Sequence, residues 1–285
     1  MSISQLRREY HERICAEIIR VTENKSVTYP NFADGSNKSS RDIAWAITRL
    51  LGHRPQQERI DGQTVGDRFE LATRDFLESA FLLLEHIRPG KWMYQVKTAI
   101  SKFYQFEHLR YLEEVVKSDK VLSSAFGGDY IVKPDIVVGR YPVTDKEVNS
   151  HHVLVRRQDK VAKLTPLRVQ NQKDALPLLH ASISCKWTIR SDRSQNTRTE
   201  ALNLIRNRKG HLPHIVAVTA EPLPSRLATL ALGTGDLDCV YHFALPELCS
   251  SIEDLDNQDQ LDMLRILMDG RRLRDISDLP FDLAI

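Results

Sequence analysis

A cluster of charged side chains lies in the segment SISCKWTIRSDR at residues 182–193, where a lysine ends an apolar run and Arg-Ser-Asp-Arg follows. Upstream, Asp135 follows a proline at the start of another apolar run, and Glu200 lies a short distance downstream. These residue types suit phosphodiester cleavage, because carboxylates bind a divalent cation and lysine stabilises negative charge on phosphate. The sequence therefore suggests a metal-dependent DNA nuclease.

Lys186 has the chemistry needed beside a scissile phosphate. Cleavage requires an activated water, charge neutralisation and a stabilised leaving group, tasks that a divalent cation and a lysine can share. Magnesium takes one or two carboxylates together with substrate phosphate, and Asp135 and Glu200 supply them. Successive strand side chains face opposite sides, so Ser184 and Lys186 share a face while Cys185 points into the core. We expect Glu200 about one turn into the following helix.

Each of these residues also has an ordinary structural interpretation. Asp135 after a proline is typical of a turn, and Lys186 at a strand end is typical of a solvated edge charge. Glu200 near a helix start would favour the helix dipole, and Glu70 beside an apolar stripe would be an exposed helix position. The residues alone leave these alternatives open.

Arg190, Asp192 and Arg193 have the chemistry needed to read C:G base pairs. Arginine donates to both O6 and N7 of guanine, and aspartate accepts from the amino group of cytosine. The alternative is a solvated turn held by local ion pairs, which are common and individually weak.

Composition limits these hypotheses. The 285 residues carry a net charge of +2 and are 41% hydrophobic, which supports a packed core but not a generally basic nucleic-acid binder. Cys15, Cys185, Cys239 and Cys249 form no CxxC pair, which argues against zinc and disulfides and favours a reducing cytoplasm. The sequence shows no membrane-spanning apolar run and no signal-peptide core, so we expect a cytoplasmic protein without membrane contact.

Periodicity predicts an α/β protein with a mixed central sheet flanked by helices and additional N-terminal helices. The predicted helices cover 4–21, a stretch from Ser39 or Ser40 to 51, 66–87, 107–117, a stretch from Asn196 or Thr197 to 208, 224–232 and 258–268. The predicted strands cover 130–138, 177–187, 214–219 and 240–244, and a turn is predicted at Gly127-Gly128. Residues 148–174 are polar and irregular, which indicates a mobile segment or an interaction element. We expect a single domain over residues 1–285.

The motif residues resemble the PD-(D/E)XK nuclease core. Pro134-Asp135 matches the first part of the motif, and Ser184-Cys185-Lys186 matches the second, with a serine where the usual acid stands. One branch of type II restriction endonucleases, which cut sites with a CCGG core, carries this acid on the next helix, and Glu200 fits that position. The resemblance implies a restriction-endonuclease-like core in which Ser184 occupies the vacated acid position of the active site.

Whole blocks of the sequence are similar to a tetrameric member of that branch, which cuts GCCGGC. The similar blocks are 33–37, 62–64, 86–90, 178–193, 203–210, 214–222 and 275–280. The resemblance implies that Asp135 and the main-chain carbonyl of Cys185 bind Mg²⁺, with two ions in each active site. It also implies that Lys186 is the catalytic lysine. Glu200 and Glu70 would then be acidic partners of the metal, acting directly or through metal-bound water.

The same resemblance implies how DNA is read and cut. The implied DNA-binding residues are Arg190, Asp192 and Arg193 for the CCGG core, Asp34 and Arg226 for the outer G:C pair, Gln63 for the minor groove, and Ser36. A turn role for Asp34 and a helix-surface role for Arg226 remain the alternatives. The implied target is GCCGGC in double-stranded DNA, cut after the first G to leave four-nucleotide 5′ overhangs, in a restriction-modification system.

A palindromic target also implies symmetry in the protein. Each half-site needs the same reading surface, so we expect a homodimer. The resemblance implies a homotetramer built as a dimer of dimers, with residues 148–174 as the oligomerisation segment.

Two other functions remain open at this point. A repair or structure-specific nuclease would share the core chemistry and use the arginine segment to hold the DNA backbone. A non-enzymatic regulator would bind DNA through the same segment without cutting it.

Overall fold

The structure of the chain is a computed structural model that describes residues 1–24, 27–52, 54–58, 60–126, 132–233 and 235–285, without the side chains of 125, 126 and 191–193. The helices are α1 (Ile3–Glu17), α2 (Lys38–Leu50), α3 (Gly62–Leu82), α4 (His108–Ser118), α5 (Lys120–Phe126), α6 (Asp145–Val148), α7 (Ser191–Asn207), α8 (Pro224–Ala231), α9 (Leu245–Asp254), α10 (Gln258–Asp269) and α11 (Leu279–Asp282). The strands are β1 (Val21–Asn24), β2 (Val27–Pro30), β3 (Trp92–Val96), β4 (Ile136–Arg140), β5 (Leu178–Lys186), β6 (His214–Thr219), β7 (Cys239–His242) and β8 (Leu273–Asp275).

The sheet is mixed, as the sequence predicted. Its six strands follow the order β3-β4-β5-β6-β7-β8, with β3 and β4 antiparallel and with β6, β7 and β8 parallel to one another. Strand β5 is buried along almost its whole length, as are β6 and β7, which is why these strands read as continuous apolar runs rather than alternating ones. The predicted α/β class is confirmed.

The chain forms two compact units, each built from separate stretches of sequence. The first unit contains residues 1–88, 183–202 and 215–285, and the second contains residues 89–182 and 203–214. The single domain expected over 1–285 stays a prediction.

The predicted bounds of one element are confirmed, and those of others are wrong. Strand β6 has the predicted bounds. Helix α2 is capped by Asn37, whose side chain accepts the Ser40 amide hydrogen, so the predicted Ser39 or Ser40 cap is wrong. Helix α7 begins at Ser191, so the predicted Asn196 or Thr197 cap is also wrong.

The position of Glu200 changes with the start of α7. A helix from Ser191 places Glu200 in the third turn rather than one turn in. The helix-dipole interpretation of Glu200 therefore fails, because that effect is confined to the first turn.

The sequence did not indicate several short elements. These are the β1-β2 hairpin, β3, α5, α6, α9, β8 and α11. The predicted Gly127-Gly128 turn and the predicted strand start at Tyr130 lie outside the described residues. In the described part of the chain, no helix combines the length and the apolar character that crossing a bilayer requires.

Candidate DNA-reading pocket and cleavage residues

One open pocket in the first unit collects three of the predicted DNA-reading residues from distant parts of the sequence. Asp34, Arg190 and Arg226 all line this pocket, which has a volume of about 740 Å³. Its remaining lining comes from the β1-β2 hairpin, the loop before α2, the segment after β5, the first turn of α7 and α8. A concave surface with charged groups at its wall is the geometry expected of a binding site.

The Asp34 side chain organises the loop that carries it. The main-chain amide and the hydroxyl of Ser36 both donate to Asp34 Oδ1, at 2.9 Å and 2.7 Å, and the Asp34 amide donates to Ser40 Oγ at 2.8 Å. The hydrogen bonds from Ser36, with the Arg226 guanidinium, lower the pKa of Asp34 to about 2. Asp34 is therefore an ionised acceptor at neutral pH, and the turn role weighed for it coexists with its place on the pocket wall.

The loop has no room for a side chain at Gly35. A Cβ built on Gly35 would lie 2.3 Å from Tyr29 Oη, and Arg41 Nη1 donates to the Gly35 carbonyl at 2.6 Å. The glycine thus lets the hairpin tyrosine close over the loop that presents Asp34 and Ser36.

Arg226 extends from α8 to the same loop. Its guanidinium forms an ion pair with Asp34, and its Nη1 lies 4.0 Å from the Glu221 carboxylate. One third of the Arg226 side chain is exposed. The helix-surface interpretation of Arg226 is therefore incomplete, because this side chain joins two acids beside the pocket.

Trp187 links the lysine strand to two other predicted site elements. Its ring packs edge-on against Phe32 at 5.6 Å and against Phe69 at 5.1 Å between ring centroids. Phe32 leads into the Asp34 loop, Phe69 precedes Glu70 in α3, and Trp187 follows Lys186. A single aromatic cluster therefore fixes the backbone beside all three functional positions.

The cleavage candidates of the first unit lie on β5, α3 and α7. Lys186 ends β5 and is half-buried, while Cys185 is buried as expected. The Ser184 hydroxyl is buried and lies 3.3 Å from Thr197 Oγ1, a hydrogen bond that joins β5 to α7, which carries Glu200. Glu70 is 8% exposed, so its interpretation as an ordinary exposed helix position is wrong.

Asp135 belongs to the second unit, where it precedes β4 and is half-buried. Its main-chain carbonyl accepts the Lys97 amide hydrogen at 3.1 Å, continuing the β3-β4 ladder by one residue. Asp135 is thus part of the strand end rather than of an isolated turn.

Comparison of the sequence with known families shows the family to which the chain belongs. The family model described as "NgoMIV restriction enzyme" matches residues 10–285. The chain belongs to this family. The type II restriction enzyme NgoMIV of Neisseria gonorrhoeae is 48% identical over 287 residues, covering 99% of this chain and 98% of that protein. As a member of the NgoMIV family, the chain is a type II restriction endonuclease.

Solved structures of other restriction endonucleases are similar to the chain only at a low level. Bse634I in complex with cognate DNA covers 90% of this chain and 99% of its own at 13% identity, with a TM-score of 0.34. A PspGI–substrate DNA complex covers 99% and 92% at 14% identity, with a TM-score of 0.30.

The other predicted reading residues lie in different settings. Gln63 is exposed in the first turn of α3, where its amide donates to Asp67 Oδ1 at 2.9 Å. The backbone of Asp192 and Arg193 lies in the first turn of α7, and their side chains lie outside the described residues. The predicted turn after Arg190 is therefore a helix start, with the Ser194 amide donating to the Arg190 carbonyl at 3.0 Å.

Metal-binding potential rests on oxygen donors. Within the described residues, no group of three or more His, Cys, Asp or Glu side chains is arranged to hold a metal ion. Magnesium prefers hard oxygen ligands and retains water and substrate oxygens. Asp135, Glu200 and the Cys185 carbonyl have that donor chemistry.

Glu221 is a site residue that the sequence reasoning missed. It is 1% exposed two residues after β6, and its carboxylate contacts both the segment before Arg190 and the start of α8. The available signal was an acid in an otherwise apolar segment, AVTAEPL at 217–223, since an acid is seldom fully buried without partners.

Proposed function

We propose that this restriction endonuclease recognises GCCGGC in double-stranded DNA and cuts after the first G, leaving four-nucleotide 5′ overhangs. The observation that carries this proposal is the convergence of Asp34, Arg190 and Arg226 on one pocket. The 48% identical relative is a type II restriction enzyme, so site-specific cutting is the activity to which these readers belong.

The reading residues match the hydrogen-bonding edges of G:C pairs. Arginine donates to guanine O6 and N7, and aspartate accepts from cytosine N4. The Asp34–Arg226 ion pair presents a carboxylate acceptor beside a guanidinium donor, and it reads the outer base pair. Arg190, Asp192 and Arg193 read the inner pairs from the start of α7. Gln63 probes the minor groove, and Ser36 contacts DNA beside Asp34.

Membership in a restriction-enzyme family implies a divalent metal cofactor, and we propose that this metal is Mg²⁺. Asp135 and the Cys185 carbonyl would hold the metal, with Glu200 and Glu70 acting on it directly or through water, and we propose two ions in each site. The bound metal supplies charge neutralisation and acidifies water.

Lys186 and Ser184 complete the active site. Lys186 places its ammonium group beside the scissile phosphate, where it stabilises the charge that develops in the transition state. Ser184 keeps the vacated acid position neutral and fixes β5 to α7 through Thr197, which orients the helix that carries Glu200.

The palindromic target requires a homodimer, and we propose that dimers pair into a homotetramer through residues 148–174. This segment is held by side-chain hydrogen bonds rather than long elements: Asn149 Oδ1 accepts from the Leu154 and Val155 amides, and Arg168 pairs with Asp145 at 2.8 Å. It nevertheless exposes large apolar side chains, namely Val153, Leu154, Val161 and Leu164 at 67–91%. Exposed apolar groups on an ordered segment are typical of an interface.

Digestion of a plasmid of known sequence with Mg²⁺ tests the proposed specificity. We expect discrete fragments whose ends map to GCCGGC with four-nucleotide 5′ overhangs, and no cutting by Lys186→Ala. Discrete fragments ending at another sequence would refute the target, and structure-dependent nicking would favour a repair nuclease. The four free cysteines fit a reducing cytoplasm, where the enzyme would act within a restriction-modification system.

A further inference from the structure

Glu221 is a buried carboxylate that the cleavage chemistry does not use. It follows β6 by two residues and precedes α8, and its side chain is almost completely removed from solvent. A buried carboxylate is retained only where hydrogen bonds and opposite charge replace its hydration. The partners of Glu221 therefore indicate what it holds in place.

One oxygen of Glu221 holds the segment that leads to Arg190. The Ile189 amide donates to Glu221 Oε2 at 2.9 Å, between positions 32 residues apart. Ile189 is itself buried and directly precedes Arg190, which is exposed on the pocket wall. The hydrogen bond thus fixes the backbone from which the arginine enters the pocket.

The other oxygen of Glu221 holds the helix that carries Arg226. Leu223, which precedes α8, donates its amide hydrogen to Glu221 Oε1 at 3.3 Å, and Arg226 Nη1 lies 4.0 Å from the same oxygen. Leu223 has no capping side chain, and the Glu221 carboxylate accepts its amide hydrogen at the start of α8, where negative charge is favoured. Arg226 in turn pairs with Asp34.

We propose that Glu221 is a positioning residue that sets the inner reader Arg190 and the outer reader Arg226 from one buried carboxylate, and so couples recognition of the inner and outer base pairs. This inference rests on the proposed reading of GCCGGC by these arginines. A carboxylate is suited to the task because its two oxygens accept from different segments at once. Its negative charge also balances Arg226, whose partner Asp34 is needed for base contact.

Binding measurements on the full-length chain test the coupling. The probes are fluorescently labelled duplexes containing GCCGGC, ACCGGT with the outer pair replaced, or GCATGC with the central pairs replaced, with Ca²⁺ in place of Mg²⁺ to prevent cutting. The variant is Glu221→Gln, which keeps the size of the side chain and removes its charge and one acceptor. We expect its preference for GCCGGC over each of the two altered duplexes to fall, by about tenfold in both cases.

Glu247→Gln is the matched control. Glu247 is also a largely buried carboxylate of the first unit, but it pairs with Arg7 at 2.6 Å and does not line the pocket. Glu247→Gln loses a comparable charged contact, so an effect that comes only from lower stability should appear in both variants. We expect Glu247→Gln to keep both preferences.

A pH profile distinguishes positioning from a purely structural role. Burial raises the pKa of Glu221 to about 7. Two neighbouring groups have pKa values well below this: that of Asp34 is about 2, and burial lowers that of His242, whose ring faces the Glu221 backbone, to about 4. The cation that faces Glu221 is Arg226, whose Nη1 lies 4.0 Å from Oε1. Between about pH 8 and pH 6 the preference of the unmutated protein should therefore fall at both positions, whereas that of Glu221→Gln should stay constant.

The outcomes separate the two proposals. If the unmutated protein binds the three duplexes equally, the proposed function fails and the coupling with it. If it prefers GCCGGC but Glu221→Gln retains both preferences, or loses only one, the coupling is wrong while the function stands. Should Glu221→Gln fail to fold, Glu221→Asp serves instead, because it keeps the charge while its shorter side chain cannot reach both segments at once.

Discussion

The guanidinium of Arg226 and the carboxylate of Asp34 form an ion pair across 192 positions of sequence. The pair is partly exposed on the pocket wall, and Ser36 orients the carboxylate from the other side. An exposed ion pair adds little to stability, but a pair already held in one geometry loses less entropy when it meets a base pair. The relationship therefore matters more for recognition than for folding.

Replacing Arg226 with lysine tests the outer reader. Arg226→Lys keeps the positive charge but loses the planar guanidinium group, which can donate to guanine O6 and N7 at once. We expect discrimination against a changed outer pair to fall by roughly 1–3 kcal/mol. Competition binding with ACCGGT measures this discrimination. The control is Arg265→Lys on α10, at an arginine that is 60% exposed and that pairs only with Asp262 among the described contacts. An unchanged outer preference in Arg226→Lys would remove Arg226 from the readers.

Adding one methyl group at Gly35 tests the role of the reading loop. The new Cβ of Gly35→Ala would overlap the Tyr29 ring, so either the hairpin or the loop must move. We expect weaker binding to GCCGGC together with lower thermal stability. At Gly66 in α3 an added Cβ meets no atom within 4 Å, so Gly66→Ala should raise stability, by about 1 kcal/mol as alanine is the better helix former. Equal melting temperatures for the two variants would contradict the close packing at Gly35.

Much of the fold followed from local sequence because buried parallel strands and amphipathic helices leave strong patterns. Strand β6 was predicted with its observed bounds, since its apolar run lies between Pro213 and the turn before Pro222. The start of α7 was wrong because Ser191 and Asp192 favour turns as well as helix starts, and local sequence does not separate the two. The predicted cap of α2 was wrong because Asn37, Ser39 and Ser40 all have side chains that can cap a helix. Asn37 accepts the Ser40 amide hydrogen, and the Ser40 hydroxyl instead accepts from the Asp34 amide.

The site was less accessible to sequence reasoning than the fold. The readers were found through resemblance to a family, and the pocket that unites Asp34 with Arg226 depends on long-range packing. Glu221 gave no motif at all, because its meaning arises from the Ile189 amide, a main-chain group that sequence does not display. Burial of Glu70 was missed for a similar reason, since an acid next to an apolar stripe is usually exposed.

Asp135→Asn separates cleavage from binding. The amide cannot replace the carboxylate as a charged metal ligand, yet it keeps the size of the side chain at the start of β4. We expect cleavage of a GCCGGC plasmid to be lost while binding to the same duplex in Ca²⁺ changes little. Glu114→Gln, at an exposed acid of α4 in the same unit, should cut normally. Loss of binding and of cleavage together in Asp135→Asn would indicate a folding role.

The titration of Glu221 should be visible in stability. Its folded-state pKa of about 7 lies above the ordinary 4.5, so the folded protein binds this proton more tightly than the unfolded chain. The corresponding stabilisation is complete below about pH 4.5 and is lost as the pH rises through about 7. Relative to Glu221→Gln, the free energy of unfolding of the unmutated protein should therefore fall by roughly 2–3 kcal/mol between about pH 5 and pH 8.

Urea denaturation at several pH values measures this difference, with Glu247→Gln as the control. Burial raises the pKa of Glu247, but the hydrogen bonds and charge of Arg7 outweigh it and hold that pKa below its ordinary value. Glu247 is therefore ionised across the whole range, and its variant should differ from the unmutated protein by a constant amount. A constant difference for Glu221→Gln as well would show that Glu221 does not titrate near neutral pH.

A charge placed on residues 148–174 tests the proposed assembly. Leu164 is 91% exposed in one chain, so Leu164→Asp leaves the fold of that chain unstrained while placing a carboxylate where an apolar contact between dimers is proposed. We expect sedimentation to change from tetramer to dimer, because burying an unpaired charge at an interface is strongly unfavourable. Ile266→Asp on α10, at a residue 55% exposed and outside that segment, should remain tetrameric. A tetramer in both variants would place the contact between dimers elsewhere on the surface.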